Sequence, residues 1–275
     1  MQFIMFTKHV QEYTVPQLVS ALKGAGMDGA DLCVRPGYPV TPENAPQKLK
    51  EVAKAFGEAG LSIPLVTTPG EFTEPDGREV EPLFAACGQA GVKLIKLGYW
   101  TYSAGDYSAQ LDSCRKKLAG FAVLGEKHGV KPVVHMHSGS TMGLNASAAM
   151  RLVEGLDPRS VGIFADPGHL AICGEPLHMA FNIIKDYAAC FAFKDVVKLP
   201  VMRDRREVYT MRVRRLGEGI VDWHLAVKTI LDLKLDSLPI SIHCEYEGEP
   251  ADSVVDLARV DLRYVKKLFA EIGGK

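Results

Sequence analysis

The chain has 275 residues, of which 47% are hydrophobic and 24% are charged, a balance typical of globular proteins. It carries 32 Lys and Arg against 33 Asp and Glu, so its formal net charge is −1. This charge gives no basis for a nucleic-acid or membrane-surface partner. No apolar run reaches the length needed to span a bilayer. We therefore expect a small-molecule partner.

The cysteines favour a reducing compartment. None of the six forms a CxxC pair, and several lie inside apolar runs. Disulfide frameworks belong mainly to small secreted domains, so we expect buried free thiols. The first nine residues, MQFIMFTKH, also turn polar too early for a secretion signal. Both features predict a cytoplasmic protein.

Strand and helix patterns alternate along the whole chain. Short apolar runs predict strands at residues 3–6, 30–34, 61–66, 93–97, within 131–140, and at 161–165, 189–193 and 239–244. Helical periodicity predicts helices that begin near residues 15, 49, 80, 108, 146, 176, 222 and 253. Alternation of this kind indicates a parallel sheet. Eight strand–helix units in this length predict one (β/α)8 TIM barrel over residues 1–275, and no nucleotide-binding glycine loop follows any strand.

One connection departs from the regular rhythm. Residues 198–218 are polar and include six arginines, at positions 203, 205, 206, 212, 214 and 215. Connections of this length in a compact domain are usually functional lids or disordered segments. The arginines could clamp an anionic substrate or contact a neighbouring subunit. The sequence leaves this choice open.

Polar side chains collect at the predicted carboxyl ends of the strands, which is the catalytic face of such a barrel. They are His9, Arg35, Lys96, His135, His137, Asp166, His169, Lys194, Asp195, His243 and Glu245. The loops at the opposite face, such as GAGMDG and GEKHGVK, look like simple helix ends. This asymmetry predicts an active site.

Three of these side chains form a predicted metal site. Imidazole and carboxylate together are common ligands of Zn²⁺, Mn²⁺ and Fe²⁺. His135, Asp166 and Glu245 end the fifth, sixth and eighth predicted strands, so they could converge on one ion. An equally simple role for Asp166 is to cap a helix, because Pro167 and Gly168 follow it.

The remaining rim residues divide into catalytic and substrate-binding groups. We expect Glu245, Lys194 and His169 to move protons, although an ion pair between Lys194 and Glu245 would explain both residues structurally. We expect four residues to bind substrate. They are Arg35, Lys96, His137 and His243. A structural salt bridge is an equally good explanation of Arg35, and hydrogen bonds to loop backbone would account for the histidines.

Five motifs at these strand ends resemble the xylose-isomerase-like TIM barrels, which include sugar isomerases and epimerases, inosose dehydratase and related lyases. They are VRPG at 34–37, ADPGH at 165–169, FKD at 193–195, RLGEGIVDW at 215–223 and ISIHCEYEG at 240–248. The resemblance implies a divalent ion (Mn, Zn, Fe, Co or Mg) held by Glu, Asp, His and Glu from strands five to eight. It is also the sole support for a homo-oligomer.

Carried over by position, the resemblance is incomplete. Asp166 and Glu245 match the family ligands, and His135 stands where the family has a glutamate. The strand-seven histidine falls on Ala192, which cannot ligate. His169 or His137 could supply the missing ligand. Only one of the two glutamates that the usual isomerase employs for proton transfer remains.

The sequence therefore supports several functions. The first is a metal-assisted isomerase or epimerase of a sugar or sugar derivative, acting through an enediolate. The second is a lyase or dehydratase of a keto-sugar, keto-inositol or glycoside derivative. Aldol cleavage is a weaker third, and an apurinic-site nuclease is disfavoured by the neutral charge. A barrel that only binds sugar is the non-enzymatic alternative.

Overall fold

The strands of the computed structural model, which describes residues 1–274, form a closed parallel barrel. Its eight strands within the described residues are β1 (Gln2–Phe6), β2 (Gly29–Cys33), β3 (Ser62–Thr67), β4 (Leu94–Lys96), β5 (Lys131–His135), β6 (Gly162–Ala165), β7 (Ala188–Phe193) and β10 (Pro239–Ile242). Two further strands, β8 (Asp195–Arg203) and β9 (Arg206–Arg214), form a separate hairpin. The predicted (β/α)8 barrel is confirmed.

Helices follow the barrel strands. They are α1 (Val15–Ala25), α2 (Ala45–Glu58), α3 (Val80–Gln89), α4 (Tyr107–His128), α5 (Ala146–Val153), α6 (Pro167–Cys173), α7 (Leu177–Ile184), α8 (Trp223–Asp232) and α9 (Ala251–Gly273). The short α6 is absent from the sequence-based prediction, because the compact DPGH motif shows too little periodicity to indicate a helix. None of the helices within residues 1–274 is long and apolar enough to cross a membrane.

The order of the strands around the barrel determines which side chains face each other. The ring runs β1, β10, β7, β6, β5, β4, β3, β2 and closes on β1. Three strands separate β4 from β10 in either direction, so these two strands stand on opposite walls. Because the strands are parallel, their carboxyl ends open onto the same face.

Two apolar layers hold the barrel together. Inward-facing side chains from the strands, among them Ile4, Leu65 and Val133, fill the interior below the carboxyl face. A larger layer, which includes Phe56, Phe84 and Phe181, lies between the strands and the surrounding helices. Ala192 belongs to the inner layer and is fully buried, so this position faces the barrel axis.

The arginine-rich connection, which its length suggested to be a lid or a disordered segment, is a regular hairpin. Strands β8 and β9 pair antiparallel from Asp195 opposite Arg214 to Arg203 opposite Arg206. Asp204 and Arg205 form the turn, with φ angles of 50° and 60°. These angles belong to a two-residue hairpin turn that usually contains Asn and Gly. Because Asn and Gly are absent, the turn cannot be predicted from the sequence. Alternating apolar residues such as Leu199 and Val201 are typical of the two strands.

Asp195 organises the loop that follows the hairpin. Its carboxylate accepts hydrogen bonds from the backbone N–H groups of Gly217, Gly219 and Val221 at 3.0, 3.0 and 3.2 Å, and from Trp223 Nε1 at 2.8 Å. A β-carbon on Gly219 would lie 2.0 Å from Asp195 Oδ1, so only glycine fits there. Asp195 was predicted at the rim of the site, but its carboxylate binds the backbone of the LGEG motif and the tryptophan of VDW, so its role is structural.

Candidate active site at the carboxyl end of the barrel

A polar cavity of about 160 Å³ opens at the carboxyl ends of the strands. Its wall is formed by Phe6, Lys8, Arg35, Thr67, Gly70, Lys96, Tyr99, His135, His137, Phe164, Lys194, His243 and Glu245. Seven of the rim residues predicted from the sequence are therefore in direct contact with one cavity.

Two imidazoles and one carboxylate cluster at the cavity floor. His135 ends β5, Asp166 follows β6, and His169 lies in the first turn of α6. Ligand atoms of these three buried residues all lie within 4.8 Å of one another. Asp166 Oδ2 is 3.2 Å from His135 Nε2, and Asp166 Oδ1 accepts the His169 backbone N–H at 3.0 Å. Asp166 therefore caps α6 and faces the cluster at the same time.

The protonation of this cluster suits metal ligation. Burial lowers the pKa of His135 well below its usual value and lowers that of His169 to about 3, so both rings are neutral near pH 7. Although burial alone would raise the pKa of Asp166, the charge of Lys194 and the hydrogen bond from His135 hold it well below the usual range. Two neutral imidazoles and an ionised carboxylate are a donor set that Zn²⁺ accepts, with room for an exogenous ligand.

A chain of charged groups runs from this cluster to the cavity mouth. Lys194 Nζ lies 2.8 Å from His169 Nε2, 3.3 Å from Asp166 Oδ2 and 3.2 Å from Glu245 Oε1. Glu245 also accepts from Lys8 Nζ at 2.5 Å. Burial would lower the pKa of Lys194, but the carboxylates of Asp166 and Glu245 outweigh it and raise that pKa.

Close backbone packing permits these contacts. A β-carbon on Gly168 would lie 2.6 Å from the Lys194 carbonyl oxygen, so the glycine of ADPGH lets α6 approach the end of β7. This approach brings His169 to Lys194. The two motifs ADPGH and FKD, far apart in sequence, thus depend on each other in space.

A second buried group of charged residues, centred on His243, forms another part of the cavity wall. His243 stacks on Phe6 with ring centroids 4.4 Å apart, and its Nε2 and Nδ1 atoms lie 3.5 Å from Asp31 Oδ2 and 3.6 Å from Glu245 Oε1. Burial would lower the pKa of His243, but the two carboxylates raise it. Ser241 Oγ donates to Asp31 Oδ2 at 2.9 Å. The side chains at the alternate positions 241, 243 and 245 therefore all face the barrel interior.

The other predicted binding residues reach the cavity in different ways. Arg35 Nε donates to the Thr68 carbonyl oxygen at 3.1 Å, and its guanidinium carbon lies 5.7 Å from the centre of the Phe6 ring. The His137 ring centroid is 4.0 Å from that of His169. His9, in a short 3-10 turn after β1, does not belong to the cavity wall.

Among the residues that the sequence-based prediction missed, three hold predicted site residues in place. Tyr99 bonds its hydroxyl to His135 Nδ1 at 2.9 Å, Asp31 holds His243, and Lys8 holds Glu245. Asp31 interrupts the apolar residues of β2, an inward-facing charge that could have been noticed. Tyr99 and Lys8 lie in loops, where no periodicity shows the direction of a side chain.

The structure also regroups the predicted metal ligands. His135 and Asp166 are adjacent, but Glu245 contacts three cationic side chains and lies outside the three-residue cluster, in which His169 takes the third place. Ala192 offers no donor on β7. The second imidazole of the cluster comes from His169 of α6 instead.

A parallel barrel whose carboxyl face holds imidazoles, carboxylates and lysines around one cavity defines a TIM-barrel protein with its site at the usual end of the barrel. This chain belongs to the family described as "Xylose isomerase-like TIM barrel", whose model matches residues 19–268. The resemblance drawn from the strand-end motifs is confirmed.

Comparison with individual proteins agrees with this family. The chain is 27% identical to an inosose dehydratase of Lacticaseibacillus casei over 197 residues, or 68% of this chain, and covers 65% of that protein's length. Its fold is similar to D-psicose 3-epimerase from Clostridium cellulolyticum H10, with a TM-score of 0.75, 13% identity and coverage of 98% and 99% of the two chains. A zinc-bound IolI protein has a TM-score of 0.74 and 15% identity, with 99% of both chains covered.

Proposed function

We propose that this protein is an isomerase or epimerase that moves a proton at the carbon next to the carbonyl group of a sugar or sugar derivative. The observation that carries the proposal is the chain Glu245–Lys194–His169, in which two contacts of 3.2 and 2.8 Å link a carboxylate at the mouth to an imidazole at the floor. Relatives named inosose dehydratase and D-psicose 3-epimerase support a polyhydroxylated carbonyl substrate.

The roles of the residues follow from their protonation. Glu245 is ionised, because the charges of Lys194 and His243 outweigh the burial that would otherwise raise its pKa. It can therefore accept a proton from substrate carbon. Lys194 is protonated and can donate to the developing oxyanion. His169 Nε2, 2.8 Å away, accepts a hydrogen bond from the ammonium and holds it in place. Arg35, His137 and His243 orient the hydroxyl groups from the cavity wall.

We further propose that His135, Asp166 and His169 hold a divalent metal ion. Their donor atoms lie within 4.8 Å of one another and are buried, as a three-ligand site requires. Such an ion would polarise the carbonyl and hydroxyl oxygens of the substrate. The zinc-bound IolI neighbour supports this proposal. The identity of the ion is open to measurement.

Metal content and binding test this site directly. Protein purified without added metal or chelator should contain near-stoichiometric metal by elemental analysis. The variants His135→Ala and His169→Ala should lose it, while His178→Ala, on the exposed side of α7, should retain it. A wild type that holds no metal and takes up none on titration would contradict the proposed site but not the proton transfer.

Proton exchange tests the activity itself. D-Fructose, D-tagatose, D-allulose and an inosose are incubated with the protein in D₂O, and exchange of the hydrogen next to the carbonyl is followed by NMR. Glu245→Gln should slow the exchange by about 10²–10⁴-fold. The exposed neighbour Glu247→Gln should leave it unchanged. Absence of exchange in the wild type with all four compounds would overturn the proposal and leave a barrel that only binds sugar.

A dehydratase is the second candidate. The rings of His137 and His169 are tilted against each other with centroids 4.0 Å apart beside the cavity, and an imidazole there could protonate a departing hydroxyl group. The inosose dehydratase relatives favour this outcome. The same NMR experiment separates the two, because an epimerase returns the proton to carbon and a dehydratase releases water and forms an unsaturated product.

A further inference from the structure

Lys96 is a buried amine without a hydrogen-bond partner in the part of the chain that the structure describes. It ends β4, is 1% exposed, and its Nζ atom has no hydrogen-bond partner among residues 1–274 although the residue lines the cavity. Burial of an unpaired amine opposes folding. A lysine placed in this way on a cavity wall therefore indicates a role toward a ligand.

The surroundings of Lys96 keep both of its protonation states accessible. Burial and the charge of Arg35 lower the pKa of Lys96 to about 7. The face of the Tyr99 ring, with its centre 3.6 Å from Nζ, stabilises the ammonium form. An amine that is partly neutral and partly protonated near pH 7 can either take or give a proton.

Its position completes the geometry of the site. Lys96 ends β4, and Glu245 follows β10 on the opposite wall of the barrel. Both side chains line the one cavity. A sugar bound between them presents one face of its reacting carbon to the carboxylate and the other face to the amine.

We propose that Lys96 is the second acid–base group of a two-base epimerisation, with Glu245 as the first. The inference rests on the function proposed above. Glu245 takes the hydrogen of the carbon next to the carbonyl as a proton, and the C–H electron pair forms the C=C bond of an enediolate. The Lys96 ammonium then gives a proton to the opposite face of that carbon, the C–H bond re-forms and the carbonyl returns. The reverse reaction exchanges the roles, so no oxidant or reductant is required, and solvent resets both groups. The ligand class is a ketose or a cyclic keto-polyol.

Inversion and exchange, measured separately, test this assignment. The four compounds named above are incubated in D₂O with wild type, Lys96→Met and Lys96→Arg. In the wild type we expect both deuterium uptake and conversion to the epimer. Both variants should lose conversion by at least about 100-fold, because neither side chain offers a neutral amine. Exchange of one epimer, on the Glu245 face, should continue.

Rescue by an added amine separates catalysis from structure. Methylamine should restore conversion in Lys96→Met and should not in Glu245→Gln, whereas a merely structural lysine would not respond to it. Conversion that persists in Lys96→Met overturns this inference and leaves the proposed function in place. Exchange without any inversion in the wild type also overturns it, and an unsaturated product would then identify a dehydratase. A wild type that exchanges no hydrogen overturns both proposals.

Discussion

At the scale of single residues, charge burial separates the groups that stabilise the fold from those that oppose it. Asp166 and Lys194 are buried together and neutralise each other at 3.3 Å. Lys96 is equally buried but has no such partner within residues 1–274. The protein therefore keeps one amine whose burial weakens the native state, as catalytic groups often do.

Replacing Lys96 with methionine should stabilise the protein. The lowered pKa of Lys96, about 7, means that the folded state loses a proton that the unfolded chain keeps up to about pH 10. The unfolded state thus binds more protons across this range, and stability rises with pH. We expect Lys96→Met to raise the free energy of unfolding at pH 7 by about 1–3 kcal/mol and to remove the pH slope.

Urea unfolding at pH 7 and 9 measures both effects. Lys93→Met is the matched control, because Lys93 is exposed and close to the same strand. It should change the free energy of unfolding by no more than about 0.5 kcal/mol. A destabilised Lys96→Met variant would show that the lysine serves the fold rather than the site.

At the scale of elements, one carboxylate connects the hairpin to the helix that follows it. Asp195 begins β8 and accepts hydrogen bonds from the 217–221 backbone and from Trp223, which begins α8. The KD, LGEG and VDW motifs are therefore parts of one structural unit. Only the lysine of FKD faces the cavity.

Asp195→Asn should weaken this unit. The side-chain amide of asparagine would point its own N–H group at N–H groups that now donate to Asp195. At least one of these buried N–H groups would lose its acceptor. We expect the free energy of unfolding to fall by about 2–4 kcal/mol, as measured by urea titration. The control is Asp232→Asn, which loses only an exposed pair with Lys228 and should cost less than about 0.5 kcal/mol. An equal effect of the two variants would contradict the role of Asp195.

The hairpin shows why some strands and their turns are harder to predict from sequence than others. Its alternating residues predict strands, yet the charged turn at Asp204 and Arg205 lacks the usual glycine. The alternation therefore indicates strands, whereas the turn residues give no sign of a hairpin and the length of the segment favours a loop. The barrel strands, in contrast, are largely buried on both faces and consist mostly of apolar residues.

At the scale of the whole molecule, stability should depend on pH through a carboxyl group remote from the cavity. Asp261 of α9 bonds to the Tyr246 hydroxyl and accepts the Leu216 N–H at 3.0 Å. Burial raises the pKa of Asp261 from 3.8 to about 6. The folded state then binds more protons than the unfolded chain between these values, so stability falls as the pH rises through that range.

A comparison with Asp261→Asn isolates this effect. The difference in unfolding free energy between wild type and variant should change by about 2–3 kcal/mol between pH 4 and 7, with the wild type losing more. Thermal or urea unfolding across this range provides the measurement. A difference that stays constant with pH would show that Asp261 titrates normally.

The sequence by itself determined the barrel, its eight strand–helix units, and most of the charged and imidazole side chains of the cavity wall. Apolar runs and strand-end polarity are local signals, and a parallel barrel gathers all carboxyl ends on one face, so His135, Asp166, Lys194 and Glu245 could be placed there before any coordinates. Only the tertiary structure decided their partners. Distances between side chains depend on barrel closure, on the approach that Gly168 allows, and on loop conformations that carry no periodicity. These factors place His169 beside Asp166 and Glu245 beside lysines. They also leave Lys96, on the wall opposite Glu245, without a hydrogen-bond partner among the described residues.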